Sequence, residues 1–277
     1  MICNNIKKTL IGTVMFSCML SVYAAKITHK VTDTGFSSQP KGSPDGTYAI
    51  YLTGSIEQQD LQIFKNTLKK ISQQVQTEDR SPLDRMLVLN SEGGDVATAL
   101  SIGRIIRDNQ MWVVVPDSAK CLSSCVFLLA AGVVKYPLGD IGIHRPYFEA
   151  KPTQGYDQAL KEVLSASRNY FLEMNIPEQL ADDMFSIAPA EIRLLGDDPL
   201  KKYRLNQDDI AYAEDRAIEN AKAYGLSRQE YERRQKLSKI YSKECRVADS
   251  EAAKKNPTSV AVKCGDLGRQ RAGLILK

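Results

Sequence analysis

Three runs of β-type apolar residues alternate with segments whose apolar positions recur at helical spacing, and this alternation constrains the fold more than any other feature. Thr47-Tyr-Ala-Ile-Tyr-Leu-Thr53 alternates and is rich in β-formers. Arg85-Met-Leu-Val-Leu-Asn90 is continuously apolar, as a strand buried on both faces is, and Met111-Trp-Val-Val-Val115 is a third such run. Between the first two, Gln58 to Gln76 repeats Leu61, Phe64, Leu68 and Ile71 on one side, and Pro82 breaks the chain. Between the second and third, Val96 to Asn109 turns Ala99, Ile102, Ile105 and Ile106 inward. Strand, helix, strand, helix, strand implies right-handed crossovers, a parallel sheet and an α/β fold. Sites in such sheets form outside the carboxyl ends of the strands. The turn Ser91-Glu-Gly-Gly-Asp95 and the stretch Cys121-Leu-Ser-Ser-Cys125 both follow strands and can therefore face one crevice.

The second of these stretches turns at once into the apolar run Val126 to Gly132, so Ser123 and Ser124 sit at a strand-to-helix connection. The first turn of a helix carries unpaired N–H groups and the positive end of the dipole. A hydroxyl there can act as a nucleophile, with the next N–H holding an oxyanion. The plainer reading is capping, for which serine is favoured. Gly93 and Gly94 allow backbone N–H groups to approach a substrate, or simply make an ordinary turn. Of the two histidines, His29 lies ahead of the first strand, whereas His144 ends the short run Asp140-Ile-Gly-Ile-His-Arg-Pro146. The intervening helix returns the chain, which places the imidazole beside the serines, where a hydroxyl nucleophile needs a base.

Residues 1–24 read as a secretory signal peptide: Lys7 and Lys8 precede an uncharged apolar core, and Val22-Tyr-Ala24 fits the small-residue cleavage rule. The core is short for a spanning helix, which needs roughly 20 apolar residues. No later stretch is apolar enough to span a bilayer, so the mature chain is expected to be periplasmic or secreted. Removing Lys7 and Lys8 lowers the formal charge from +4 to +2, a balance that gives no reason to expect a nucleic-acid partner. Cys3 and Cys18 leave with the leader. Cys121, Cys125, Cys245 and Cys264 remain, an even number as disulfides in an oxidising compartment require. Proximity favours Cys121–Cys125 and Cys245–Cys264 among the three connectivities. Two residues four apart in a regular helix are about 6 Å apart at Cα, so the first bond predicts a bent elbow at Ser123. Histidine is too scarce for a zinc cluster, and neither metal nor organic cofactor is expected.

The polar stretch 25–46 reads as a flexible lead-in. Gln158 to Met174 and Glu178 to Phe185 read as helices, and Leu194 to Asp208 is rich in turn residues. From residue 209 the composition becomes charged and Ala-rich, predicting two solvated helices over Ala211–Gly225 and Leu226–Tyr241 and a disulfide-closed tail. The boundaries implied are 1–24, 25–46, 47–208 and 209–277.

Leu87-Val-Leu-Asn-Ser-Glu-Gly-Gly-Asp95, Cys121-Leu-Ser-Ser-Cys-Val-Phe-Leu-Leu-Ala-Ala-Gly132 and Ile141-Gly-Ile-His-Arg-Pro146 together resemble the Clp protease proteolytic subunit and its clan, above all exported ClpP-like proteins with a Cys-x-Ser-x-Cys elbow. The resemblance runs from about Tyr48 to Pro189 and implies the ClpP/crotonase fold of stacked ββα units, with 209–277 as a helical extension outside it. It implies Ser123 as nucleophile, His144 as general base, and the N–H groups of Gly94 and Ser124 as the oxyanion hole. Asp183-Met-Phe-Ser-Ile-Ala-Pro189 matches the stretch that carries the triad acid, which makes Asp183 the choice and Asp182 its rival. Related membrane proteases use a lysine base, but Lys120 has no positional match. The clan implies a peptide or protein substrate and self-association into rings or trimers. A non-catalytic binding module on the same fold is the alternative. Acyl-CoA chemistry, also hosted by the clan, does not suit an exported chain.

Overall fold

The computed structural model describes residues 25–32, 47–77, 85–146 and 155–274, so the leader expected over 1–24 lies outside it. The fold is mixed α/β. Strand β1 (Lys26–Thr32) pairs antiparallel with β2 (Thr47–Ile56), Ile27 opposite Leu52. This corrects the expectation of a loose lead-in over 25–46 for its first part; residues 33–46 lie outside the described ones. Lys26, Thr28 and His29 of this edge strand are exposed, while Ile27 packs against the core, so the strand looks polar in sequence.

Helix α1 (Asp60–Thr77) buries Phe64, Leu68 and Ile71, and Asp60 accepts the N–H of Glu57 at 2.7 Å ahead of its first turn. Strand β3 (Arg85–Gly94) lies parallel to β2, helix α2 (Val96–Asp108) follows with Asp95 accepting the Thr98 N–H as N-cap, and β4 (Trp112–Val115) lies parallel to β3. The strand–helix alternation is thus as the sequence predicts.

Beyond Asn90 it differs. The segment Ser91–Gly94, read as a turn, continues β3. Met86 to Val88 pair with β4, but Ser91 pairs with Cys121 of β5 (Lys120–Leu122). β3 therefore passes from one sheet into a second. After α3 (Cys125–Ala131), β6 (Val134–Pro137) joins β4 in the first sheet, and β7 (Asp140–Ile143) joins β5 in the second. Helices α4 (Tyr156–Glu173) and α5 (Gln179–Ser186) precede β8 (Arg193–Leu194), which pairs antiparallel with β7. Helix α6 (Asp197–Lys202) lies where only turns were expected; acids in its first turn and lysines in its last suit the helix dipole, and Leu200 is buried.

Every residue of α3 is buried, as expected of a helix apolar on all sides. The Phe127 ring stacks on Phe171 at 5.0 Å and meets Tyr170 edge-on, and the Tyr170 hydroxyl donates to the Phe127 carbonyl at 2.8 Å. Gly103 leaves the space that this hydroxyl fills, so α2, α3 and α4 interlock.

The C-terminal segment forms α7 (Ile210–Ala223), α8 (Arg228–Ala248), α9 (Ser250–Lys255) and α10 (Pro257–Arg271). Ala221, Tyr231, Ala272 and Leu274 make its own small core, and Cys245–Cys264 ties α8 to α10. Asp209 fastens α7 to the rest. Its carboxylate accepts from the N–H groups of Ala211 and Tyr212, from Asn175 at 2.8 Å, and pairs with Arg107 at 2.9 Å. Among the described residues no helix is long and apolar enough to cross a membrane.

Candidate active site

The site forms where three strands of the second sheet end side by side. Ser91 of β3 is opposite Cys121 of β5, and Cys121 is opposite Ile141 of β7. Two residues further on, the same rows carry Gly93 and Ser123, with His144 just past the end of β7.

Ser123 is one of few non-glycine residues with positive φ, at 55°. Left-handed backbone is costly for a side chain and persists only where the surroundings impose it. Here they do. The Ser123 N–H donates to the Gly142 carbonyl at 2.9 Å, and its carbonyl accepts from Val126 N–H at 3.1 Å. A disulfide joins Cys121 to Cys125, both fully buried, with Cα atoms 5.2 Å apart. The chain turns sharply from strand to helix and projects the Ser123 side chain at the bend, the arrangement that exposes a nucleophilic serine in other strand-to-helix elbows. Ser124 does not cap α3 through its side chain; its hydroxyl donates to the Gly94 carbonyl at 3.1 Å. The plain capping reading is therefore not what the pair does.

The Gly-Gly segment packs directly against this elbow. A methyl group added to Gly93 would lie 2.7 Å from Ser123 Cβ, 2.7 Å from the Leu122 carbonyl oxygen and 2.9 Å from Ser124 N. The Gly93 N–H is taken by the Ser91 hydroxyl at 3.0 Å, and that hydroxyl donates to the Gly54 carbonyl at 2.6 Å. Ser91 is thus a buried brace with no signal in the sequence, since a serine in a Ser-Glu-Gly-Gly stretch looks like an ordinary turn residue.

His144 is 7% exposed. Burial holds its pKa below the usual histidine value. Its Nδ1 is buried with no hydrogen-bond partner, as is Nε of the adjacent Arg145. The Lys120 ammonium is paired with Glu92 at 2.8 Å.

The two candidate acids are not brought to Nδ1. Asp182 accepts from Arg168 Nε at 2.7 Å. Asp183 accepts from the Tyr203 hydroxyl and from Lys202 Nζ, the latter at 3.2 Å. These donors, Tyr203 first, hold the Asp183 carboxyl below the usual carboxylate range. The chain nevertheless passes close by: the Arg145 N–H donates to the Ile187 carbonyl at 3.1 Å, one helical turn beyond Asp183. No sequence pattern foretold Tyr203, because its contact with Asp183 spans two helices and a strand.

No family model matches the chain, and no curated protein does. Solved structures similar to it include a variant of ClpP1 from Listeria monocytogenes, with a TM-score of 0.44 and 16% identity, covering 57% of this chain and 88% of that one. Another is a variant of the membrane-bound stomatin-specific protease 1510-N, with a TM-score of 0.42 and 14% identity, covering 61% of this chain and 82% of that one.

A cavity of about 620 Å³ lies away from the elbow, between Arg85, Asn109 and Trp112 on one side and Tyr212 and Arg216 of α7 on the other. Its lining contains no serine, cysteine or histidine, so nucleophilic chemistry of the Ser123 kind has no basis there.

Proposed function

We propose that the chain is an exported serine hydrolase, a peptidase of the ClpP type. The observation that carries this reading is the left-handed backbone of Ser123 at a disulfide-braced elbow, with Gly93 packed against it and His144 at the neighbouring strand end. The two successions β4-β5-α3 and β6-β7-α4 are read as the repeated ββα units of the ClpP/crotonase fold, with β1 added to the unit expected over 47–208 and 209–277 as its helical extension. The leader and the two disulfides support export to a periplasmic or extracellular compartment.

In this mechanism the Ser123 hydroxyl attacks the carbonyl of a peptide bond, and His144 takes its proton. The N–H groups of Gly94 and Ser124 hold the oxyanion. Gly94 suits this role better than Gly93, whose N–H is already committed to Ser91. His144 then protonates the leaving amine, and water releases the acyl group by the same steps in reverse. Ser123 and His144 are not hydrogen-bonded to one another, and catalytic bonds of this kind tighten in the complex with substrate. Asp183 serves as the acid that orients His144 only when its carboxylate leaves Tyr203 and Lys202. Self-association belongs to the same reading.

The hold on Asp183 also favours a second reading, a non-catalytic module that binds a peptide or an envelope partner. Hydrolysis of an unstructured protein substrate separates the two. Ser123→Ala abolishes cleavage while Ser124→Ala, which keeps the backbone N–H, retains it. Equal loss in both moves the nucleophile elsewhere, and no cleavage by the parent chain favours the binding module.

A further inference from the structure

The parallel strands have two ends. Ser123 and His144 follow the carboxyl ends of β5 and β7, whereas Arg85 begins β3 and Trp112 begins β4 at the amino ends. The cavity of about 620 Å³ lies at these amino ends, with α7 as its other wall. Small-molecule sites usually enclose about 300–1,000 Å³. Trp112 and Tyr212 join the two walls, the indole N–H donating to the Tyr212 hydroxyl at 3.4 Å.

A helix lying against a protein body normally turns an apolar stripe toward it. Helix α7 places Ala217 and Ala221 in the small core it shares with α8. Toward the cavity it turns Tyr212, Asp215, Arg216, Glu219 and Lys222, whose spacing by three and four puts them on one face. Arg216 and Glu219 pair with each other at 3.2 Å. Four other charges on the lining have no ion-pair partner among the described residues: the cations Arg85 and Lys222 and the acids Asp108 and Asp215. Asp108 ends α2, where the helix dipole disfavours an acid. Arg85 is half-buried, and its Nη1 donates to Asn109 Oδ1 at 2.6 Å, which fixes the guanidinium and leaves its other N–H groups for a carboxylate.

Opposite charges that line one cavity without reaching one another match a ligand that carries both signs. The acids act against nucleotides and other polyanions. Asp215 and Lys222 stand about 10 Å apart along α7, which is the reach of about three extended residues. A neighbouring hollow of about 300 Å³ shares Trp112, Tyr212 and Arg216 and adds Val134, Tyr136 and Ala217, so an apolar side chain has a seat beside the charged walls.

We infer that this cavity binds a short peptide with free termini, its carboxylate taken by the unpaired cations and its ammonium by the unpaired acids. The site is remote from the elbow and stands whether or not Ser123 is a nucleophile.

Trp112 is the one tryptophan of the chain, so tryptophan emission reports on this cavity. The tripeptide Ala-Leu-Ala is titrated into the full mature chain carrying Ser123→Ala, which separates binding from hydrolysis at Ser123. The expected result is a saturable change in emission. Affinity falls about tenfold or more when the peptide is N-acetylated, when it is C-amidated, and when Arg85→Gln is added to the chain. Lys222→Gln, at an exposed position, repeats the test should Arg85→Gln not fold. No saturable change at millimolar peptide overturns the site. Capped peptides that bind as tightly as the free one, or inorganic phosphate that gives the same change, overturn the zwitterionic ligand. Unchanged affinity in the folded variants overturns the cavity as its seat.

Discussion

Replacing Gly93 by alanine tests the packing of the site with a single methyl group. Two costs are readable from the structure. Gly93 has φ of 96°, a backbone region that costs a side chain about 1–3 kcal/mol. The new methyl would also collide with Ser123 Cβ, the Leu122 carbonyl and Ser124 N, and since two of these are backbone, no rotamer change relieves it. Overpacking of that kind costs a further ~1–3 kcal/mol. Gly155 supplies the control: its φ is 92°, but among the described residues nothing lies within 4 Å of a methyl added there. Gly155→Ala should therefore show only the backbone cost, and Gly93→Ala both, a difference of about 1–3 kcal/mol in urea denaturation. Because relief requires the elbow to move, Gly93→Ala should also slow fluorophosphonate labelling of Ser123, whereas Gly155→Ala should not. Equal destabilisation by the two substitutions, with labelling unchanged in both, would refute the close packing of Gly93 on Ser123.

Asp209→Ala removes the N-cap of α7 and leaves Arg107 largely buried without its partner; a loss of about 3–5 kcal/mol is expected in denaturation of the full chain, and a loss below ~1 kcal/mol would contradict the anchoring role. His144 has a folded pKa below its ordinary ~6.5. Its neutral form therefore prevails at neutral pH, and Ser123 labelling should be flat there and fall only in acid, with a midpoint below about 6.5. The same shift means that the unfolded chain binds the proton more readily, so the stability linked to His144 is complete above ~6.5 and is lost as pH falls through the folded value. A labelling midpoint above ~6.5 would contradict the burial argument. Tyr203→Phe removes the main donor that holds Asp183, so the Asp183 carboxyl should titrate closer to its ordinary ~3.9 by carbon-detected NMR, and Ser123 labelling should accelerate; an unmoved Asp183 titration would refute the contact.

Strands β2, β3 and β4 of the first sheet were legible in the sequence because their apolar runs alternate with helices that carry a clean apolar stripe, as at Leu87, Leu89, Phe64 and Ile102, whereas β6 was not foreseen. The second sheet was not. Strands of three or four residues such as Lys120–Leu122 carry too few positions for a period to show, and β3 enters that sheet through Ser91–Gly94, residues whose composition signals a turn. Likewise β1 is a polar edge strand, visible only through its pairing with β2. In the candidate site, local spacing singled out Ser123, Ser124 and His144 and favoured the two cysteine pairings, and the structure sets the serines and histidine on neighbouring strand ends and the paired cysteines within bonding reach, while their catalytic roles remain a proposal. The acid was beyond local reading. Which oxygen or nitrogen meets Asp183 depends on how α5 and α6 lie against one another, and that geometry gives the carboxylate to Tyr203 and Lys202.

The central claim is that the elbow activates Ser123 with His144 as its base. The direct measurement is reaction of the mature, oxidised protein with a fluorophosphonate, mapping of the adduct by mass spectrometry, and repetition with His144→Ala. A phosphonyl adduct on Ser123 that disappears in the His144→Ala chain is the predicted result. No adduct in folded protein, or one that persists without His144, would contradict it.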